Sequence, residues 1–205
     1  MDLSVIIPCH NLENYITPLL VSLRLQLLST YRVELIFVCD GCTDKTEEKI
    51  DKFDFSTIYQ KVQIIACNAG SCGVARNTGR EYATGNYTLF LDGDDWLIDP
   101  LAIQKILNTL IATGSPVIRF AYEAPGFHLT GKCLDMVWQY AYKSDFIEDI
   151  YFDNQQPAED KRFNIKVFKK LNRTMPYLKE NLYHYNYMRE NSNMQQLFKK
   201  GHIEY

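Results

Sequence analysis

Asp92-Gly93-Asp94-Asp95 sets three carboxylates within four residues. When ionised they repel one another. A divalent cation relieves that repulsion. Mg²⁺ or Mn²⁺ takes hard oxygen ligands, typically one or two carboxylates together with substrate phosphates. Gly93 lets the backbone bend so that Asp92 and Asp94 face one ligand. The plainer alternative is a solvated acidic turn in which Asp95 caps a helix. A second acidic pair, Glu159-Asp160, stands at the start of a helical pattern. It either complements the helix dipole or supplies a carboxylate base that takes the proton of an attacking hydroxyl.

Three further clusters are chemically suggestive. Asp40, in Cys39-Asp40-Gly41-Cys42-Thr43-Asp44, follows a strand-like run. An acid there can accept hydrogen bonds from a base or ribose, or it is a turn residue beside a helix cap at Asp44. Gly70-x-x-Gly73-Val74-Ala75-Arg76-Asn77 matches neither the dinucleotide fingerprint nor the Walker phosphate loop. It is still a glycine loop at a helix start, which favours anions, and Arg76 adds a planar fork suited to phosphate or base. Tyr183-His184-Tyr185-Asn186-Tyr187, followed by Arg189 and Ser192, is either a strand with aromatic packing or a source of phosphate and acceptor contacts through His184, Arg189 and Ser192. Of the six cysteines, Cys9, Cys39, Cys42, Cys67 and Cys72 all follow strand-like runs and should gather at one edge. Small residues packed around strand ends is the reading set against a zinc site.

The elements that must hold these residues alternate. Leu3 to Pro8, Val33 to Cys39, Val62 to Cys67 and Asn86 to Leu91 read as strands. Tyr15 to Leu28, the stretch after Asp44, Val74 to Ala83 (ended by Gly85) and Asp99-Pro100 to Thr113 read as helices. Strand and helix in turn predict a parallel sheet covered on both faces, with ligands at the carboxyl ends of the strands. His10 and Asn11, Asp40, Asn68 and Asp92 to Asp95 all fall at that edge. Beyond about residue 115 the pattern changes: Val117 to Tyr122 is strand-like, Met136 to Tyr142 is aromatic-rich, Glu159 to Leu171 is helical, and the tail from Tyr177 is dense in Tyr, Asn and Lys. The second half reads as a cap or acceptor lobe fused to the first.

Length and composition bound the rest. The 205 residues are 46% hydrophobic and 23% charged, enough to bury a core in one domain. A net charge of -3 argues against a broad nucleic-acid footprint but leaves room for a local basic patch. The first residues lack a secretory pattern, and no run approaches the roughly 20 apolar residues of a membrane-spanning helix. The expectation is a cytoplasmic protein, with peripheral contact at the inner face of the membrane left open.

In order, these pieces resemble the family 2 glycosyltransferases, which have the GT-A fold. Val5-Ile6-Ile7-Pro8-Cys9-His10-Asn11 is similar to the family's opening strand and turn, and Asp40-Gly41-Cys42-Thr43-Asp44-Lys45-Thr46 to its Asp-Gly-Ser-Thr-Asp-x-Thr segment. Asn68-Ala69-Gly70 through Gly73-Val74-Ala75-Arg76-Asn77-Thr78-Gly79 resembles its Gly-x-x-x-Ala-Arg-Asn-x-Gly region, and Leu89 to Asp95 its strand with acidic motif. Val137-Trp138 through Lys143, then Glu159-Asp160 with Phe163, resemble the acceptor-side pattern, and Tyr185 with Arg189 and Ser192 the closing motif. The chain departs at Cys39, where many members carry an acid, at Cys42, which replaces a common serine, and in the short segment between Ile118 and Trp138.

The resemblance implies a mostly parallel α/β sheet flanked by helices, with residues 1–205 as one domain: a nucleotide-sugar-binding half over 1–100 and an acceptor half over 101–205. It implies Asp40 at the nucleobase beside Pro8, and Asp92 and Asp94 at ribose and metal-diphosphate, with Asp95 as substitute metal ligand. His10, Asn11, Asn68, Gly73, Arg76 and Gly93 complete the donor side. Asp160 is the base, and Trp138, Glu159, His184, Arg189 and Ser192 serve the acceptor or phosphate. The implied reaction is inverting, metal-dependent sugar transfer from a nucleotide-diphosphate sugar, by family habit a uridine diphosphate sugar, to a saccharide or lipid-linked saccharide in cell-surface polysaccharide synthesis. Two alternatives stand beside it. A nucleotidyltransferase would release pyrophosphate from a triphosphate, though no glycine-rich N-terminal loop with a basic residue is present to hold one. A binding module would take nucleotide without turnover.

Overall fold

The computed structural model describes residues 1–125, 136–155 and 157–186. Two runs of apolar residues set the centre of the sheet. Leu3–Cys9 (β1) and Val33–Asp40 (β2) are buried at every position and pair in parallel from Leu3↔Val33 to Cys9↔Cys39. Such unbroken apolar strands need cover on both faces. Pro8 fits inside β1 because alternate residues of a parallel strand point to opposite neighbours. Its missing N–H falls on the side of Tyr87–Phe90 (β4), where pairing has already ended at Ile6↔Phe90.

Lys61–Cys67 (β3) closes one edge, half exposed, and the full order is β3-β2-β1-β4-β7-β6-β8-β5. The parallel half is the one the alternating pattern predicts. Beyond β4 the sheet becomes mixed. Tyr140–Lys143 (β7) runs antiparallel to both β4 and Val117–Glu123 (β6). Tyr177–His184 (β8) lies parallel to β6 and antiparallel to Trp96–Leu97 (β5). One sheet therefore runs through both halves of the chain.

Two cores flank it. On one face Leu19, Leu20 and Leu23 of Thr17–Arg24 (α1), Ile50 of Thr46–Asp51 (α2) and Ile103, Ile106, Leu107 and Leu110 of Ala102–Thr113 (α4) pack on Val5, Ile7, Leu35 and Phe37. On the other, Ala75 of Cys72–Tyr82 (α3) and Phe163 and Val167 of Glu159–Lys170 (α5) pack on Ile6, Ile36, Val38 and Phe90. The chain leaves β1 towards β2 and β3, then crosses to β4 on the opposite side of β1. That reversal opens a crevice at the carboxyl ends of β1 and β4.

Two local expectations need correction, and one strand is not expected from the sequence at all. The first helix is shorter than Tyr15–Leu28, spanning Thr17–Arg24. Leu12–Ile16 instead forms a turn held by Thr46 Oγ1 on Leu12 N (2.7 Å) and Asp44 Oδ2 on Glu13 N (2.9 Å). Gly85 does not end α3. The helix stops at Tyr82 with Ala83 already extended, and a Cβ on Gly85 would lie 2.4 Å from Ser4 N, so this glycine admits β1. Finally, β5 is two residues long and carries no periodic signal.

Candidate active site

At the end of β2, the Asp40 carboxylate is 8% exposed and fixed by backbone amides: Oδ1 accepts from Ala69 N (2.5 Å) and Gly70 N (3.1 Å). Asp40 thus orders the 68–70 loop beside it. Its own carbonyl meets His10 Nδ1 at 2.6 Å. Asn11, left-handed at φ 50°, accepts from Thr43 N (2.8 Å) and ties the β1 turn to the β2 turn. A depression of about 210 Å³ opens here, lined by Cys39, Gly41, Cys42, Glu47, Ala66, Cys67 and Asn68. The Cys39 and Cys42 thiols hydrogen-bond each other; the contact lowers the Cys39 pKa, which the Cys9 thiol and burial push up on balance, while at Cys42 the same contact and burial both raise it. The thiols of Cys9, Cys39, Cys42 and Cys67 do gather at this edge, while Cys72 opens α3 beside Arg76. The described cysteines are free, and no group of three or more His, Cys, Asp or Glu side chains among the described residues is arranged to hold a metal.

The acidic turn follows β4. Gly93 sits so tightly under β1 that a Cβ would lie 2.4 Å from Leu12 Cδ1 and 3.0 Å from Pro8 O. This contact docks the turn against the end of β1. The three carboxylates then part company. Asp92 Oδ1 accepts from Arg76 Nη2 at 2.6 Å. Asp95 is 1% exposed, with Oδ2 bonded to the Tyr183 hydroxyl and Oδ1 to Asn186 N (2.7 Å). Burial, with the charges of Asp94 and Asp92, pushes its pKa well above the usual carboxylate range. Asp94 is half-buried, and its carbonyl accepts from Asn186 Nδ2 (3.3 Å).

Arg76 links this turn to α5. It is 2% exposed, and its Nη1 donates to Asp160 Oδ1 at 2.6 Å while Nη2 holds Asp92. The other Asp160 oxygen accepts from Val137 N at 3.1 Å. Burial raises the Asp160 pKa to about 6, against the lowering pull of Arg76. The approach depends on α3. Asn77 clamps the Phe152 backbone in both directions, Nδ2 to O (2.8 Å) and Oδ1 from N (3.1 Å). Arg80 holds the carbonyls of Ile150 (2.5 Å) and Ile147 (2.6 Å). Gly73 lies beneath the same segment, 3.0 Å from Asp153 O at the position of a would-be Cβ. The chain leading into Glu159 and Asp160 is thereby fastened to the helix that carries Arg76.

Residues 4–143 match the family model described as Glycosyl transferase family 2. The chain belongs to glycosyl transferase family 2. It is 30% identical over 217 residues to the poly(ribitol-phosphate) beta-N-acetylglucosaminyltransferase TarS of Staphylococcus aureus, covering 95% of this chain and 37% of TarS. It is 30% identical to glycosyltransferase GlyA of Streptococcus pneumoniae, over 89% of this chain and 30% of GlyA. Among solved structures, S. aureus TarS 1-349 in complex with UDP-GlcNAc superposes with a TM-score of 0.83 at 26% identity, covering 95% of this chain and 61% of that one. A mannosyltransferase from Pyrobaculum calidifontis in complex with GDP-Man and Mn²⁺ shares the fold, with a TM-score of 0.74 at 15% identity over 98% of this chain and 61% of that one. The chain thus spans only about a third of the first curated relatives it matches.

In this family 2 domain the remaining expected residues divide. Pro8, His10, Asn11, Asp40, Asn68, Gly73, Arg76, Asp92, Gly93, Asp94 and Asp160 all stand at or directly beneath the carboxyl edge of the parallel strands. Glu159 is half-buried at the start of α5, against Gly73. Trp138, expected at the acceptor, is 1% exposed and stacked on Tyr183 (4.5 Å) and Tyr185 (5.1 Å). It backs the site and offers no edge to a ligand. His184 stacks on Trp96 at 3.8 Å and pairs with Glu123 at 2.8 Å. Arg189 and Ser192 lie outside the described residues. In the sequence Tyr183 reads as aromatic packing, yet its hydroxyl donates to Asp95 and also accepts from Asp92 N (3.3 Å), bridging both ends of the acidic turn. Asn77 stands in the Ala-Arg-Asn segment without a role that the sequence assigns, and Arg80 carries no signal of its own, because their partners are backbone groups some 70 residues away.

Proposed function

We propose that this domain transfers a sugar from a nucleotide-diphosphate donor to an acceptor hydroxyl with inversion, Asp160 acting as base. The observation that carries this is the Arg76 guanidinium shared between Asp92 and Asp160. It sets the acidic turn and the candidate base in one cluster at the crevice beside β1 and β4, and the relative TarS 1-349 is solved in complex with UDP-GlcNAc. Asp40, with the depression beside it, serves the base and ribose, and residues 101–205 serve the acceptor. A uridine diphosphate sugar is the favoured donor, since the TarS structure holds UDP-GlcNAc. The acceptor is a cell-surface saccharide or lipid-linked saccharide in the cytoplasm. No described helix is long and apolar enough to cross a membrane.

The fit of a metal is narrower than the three acids suggest. Arg76 neutralises Asp92, and Asp95 is engaged by Tyr183 and Asn186. The repulsion that would call for a cation is thus largely met by the protein. The resemblance points to Asp94, half-buried in the same turn, as the candidate ligand, which suits Mg²⁺ or Mn²⁺ held by one carboxylate and the donor phosphates. When bound, the ion would neutralise the leaving diphosphate. In the transfer itself the acceptor oxygen bonds to the anomeric carbon as the bond to the diphosphate breaks, and Asp160 takes the hydroxyl proton. Asp160→Asn keeps an acceptor for Arg76 but turns an amide N–H towards Val137 N, so the variant is assayed well below its melting temperature, where UDP-sugar should still bind while kcat falls by about 10²–10⁴-fold. Turnover at the wild-type rate in a UDP-sugar transfer or hydrolysis assay would remove the base assignment.

A further inference from the structure

Charge is distributed unevenly in this chain. The whole carries 22 Lys and Arg against 25 Asp and Glu, yet residues 161–179 hold seven Lys and Arg and no acid. Two of the seven pair with acids of the protein itself, Arg162 with Asp153 and Lys170 with Asp149, and Arg173 donates to the carbonyls of Gly114 and Thr113. Lys161, Lys166 and Lys169 are exposed on α5, and among the described residues no acid pairs with them. The buried side of the helix is Asp160, Phe163, Asn164 and Val167, so at 100° per residue these lysines share the outward face. At about 1.5 Å per residue, Lys161 to Lys169 span about 12 Å. Beside them Tyr151 is 58% exposed, its carbonyl held by Lys166 Nζ (3.3 Å) and one ring face covered by the Arg80 guanidinium at 5.1 Å.

We propose that the outer face of α5 is the seat of a polyanionic acceptor, a polymer of polyol or saccharide units joined by phosphodiesters. This rests on the sugar-transfer reading above. Three points choose this occupant. Asp160 and Lys161 both stand in the first turn of α5, on its buried and outward sides, so an acceptor whose hydroxyl reaches that carboxylate can pass over the helix start onto the lysine face. Exposed ammonium groups on an otherwise acidic protein create a local positive field that suits repeated phosphates. The free face of Tyr151 suits the apolar face of a sugar or polyol. A membrane surface is the weaker match, since interfacial helices bury Trp, Phe or Leu, and beside the Tyr151 ring, one face of which Arg80 covers, the helix face offers Ile165, 39% exposed.

The test measures binding of synthetic poly(glycerol phosphate), neutral dextran, and phosphatidylglycerol–phosphatidylcholine vesicles to the full chain and to Lys161→Glu/Lys166→Glu/Lys169→Glu. All three lysines are exposed, so the melting temperature should hold. Lys→Gln at the same sites gives the test a second form. The wild type should bind the phosphate polymer over dextran, with affinity falling as salt rises. The triple variant should bind about tenfold or more weakly, with a salt slope shallower by about two. Lys61→Glu, on the far edge strand, should change nothing. Undiminished polymer binding by both triple variants overturns the assignment, as does equal weakening by Lys61→Glu, equal affinity for dextran, or lysine-dependent binding of vesicles but not polymer. The stabilisation of each variant by a UDP-sugar reports separately on the donor site. Its absence in the wild type would fault the sugar-transfer reading instead.

Discussion

Arg76 is a buried cation with its two terminal nitrogens on different acids, and it acts on Asp160 as well as holding it. Burial favours the protonated form of Asp160, and the charges of Asp92 and Glu159 push the same way. Arg76 and Val137 N oppose them, leaving a pKa of about 6. Cys72 and Tyr142 face the same cluster, with raised pKa values of their own. A base must be ionised to accept a proton, so kcat/KM should rise with pH through about 6. Arg76→Gln removes the main opposing charge, and the rising limb should move to higher pH. Arg76→Lys keeps the charge and should shift it less. Breaking a buried pair costs about 3–5 kcal/mol, so both variants are compared well below their melting temperatures. A lower rate with the limb unmoved would leave Arg76 a packing role only. In the sequence this arginine reads as a fork for phosphate or base; its isolated motif cannot show that two acids, 16 and 84 residues further on, claim the fork first.

At the level of elements, α3 is the organiser. Small residues let it approach the sheet: Ala75 is fully buried, and a Cβ on Gly79 would lie 2.4 Å from Ile6 Cγ2 and 3.0 Å from Val38 Cγ2. Ile6 is β-branched and wholly buried, so it has little room to yield. Gly79→Ala should cost about 1–3 kcal/mol by overpacking, visible as a lower denaturation midpoint. An unchanged midpoint would mean that α3 can lift off without penalty. The alternation that makes β1 to β4 a parallel, doubly covered sheet is legible because each element is long and uniformly patterned. The second half is less so. Which strand β7 lies beside depends on pairing with β4 and β6 across 50 and 20 or more residues, and β5 is too short to have a period. Burial of the acids was the other illegible part: three neighbouring aspartates look alike in sequence, and only tertiary partners make Asp92 an ion pair and Asp95 a buried hydrogen-bond acceptor.

For the whole molecule, the crevice is assembled from both halves of the chain. Asp40 and Asp92 come from the parallel strands, Asp160 from α5, and Tyr183 and Asn186 from the end of β8. A ligand that binds only this assembled state stabilises all of it. Under the proposed function, a UDP-sugar at a hundred times its Kd contributes about 2.7 kcal/mol, which in a domain of this size raises Tm by about 5–11 °C. The metal can be read from the same melts. Under the proposed function Asp94 and the diphosphate share the ion. Mn²⁺ alone should therefore move Tm little, while Mn²⁺ with UDP should exceed UDP with chelator. The Asp94→Asn variant should erase that difference and keep the chelator-level shift, because nucleobase and ribose contacts around Asp40 are independent of the ion. Equal shifts with and without Mn²⁺ would show that Arg76 and Tyr183 already supply the charge balance, and the chemistry at Asp160 would then proceed without a cation.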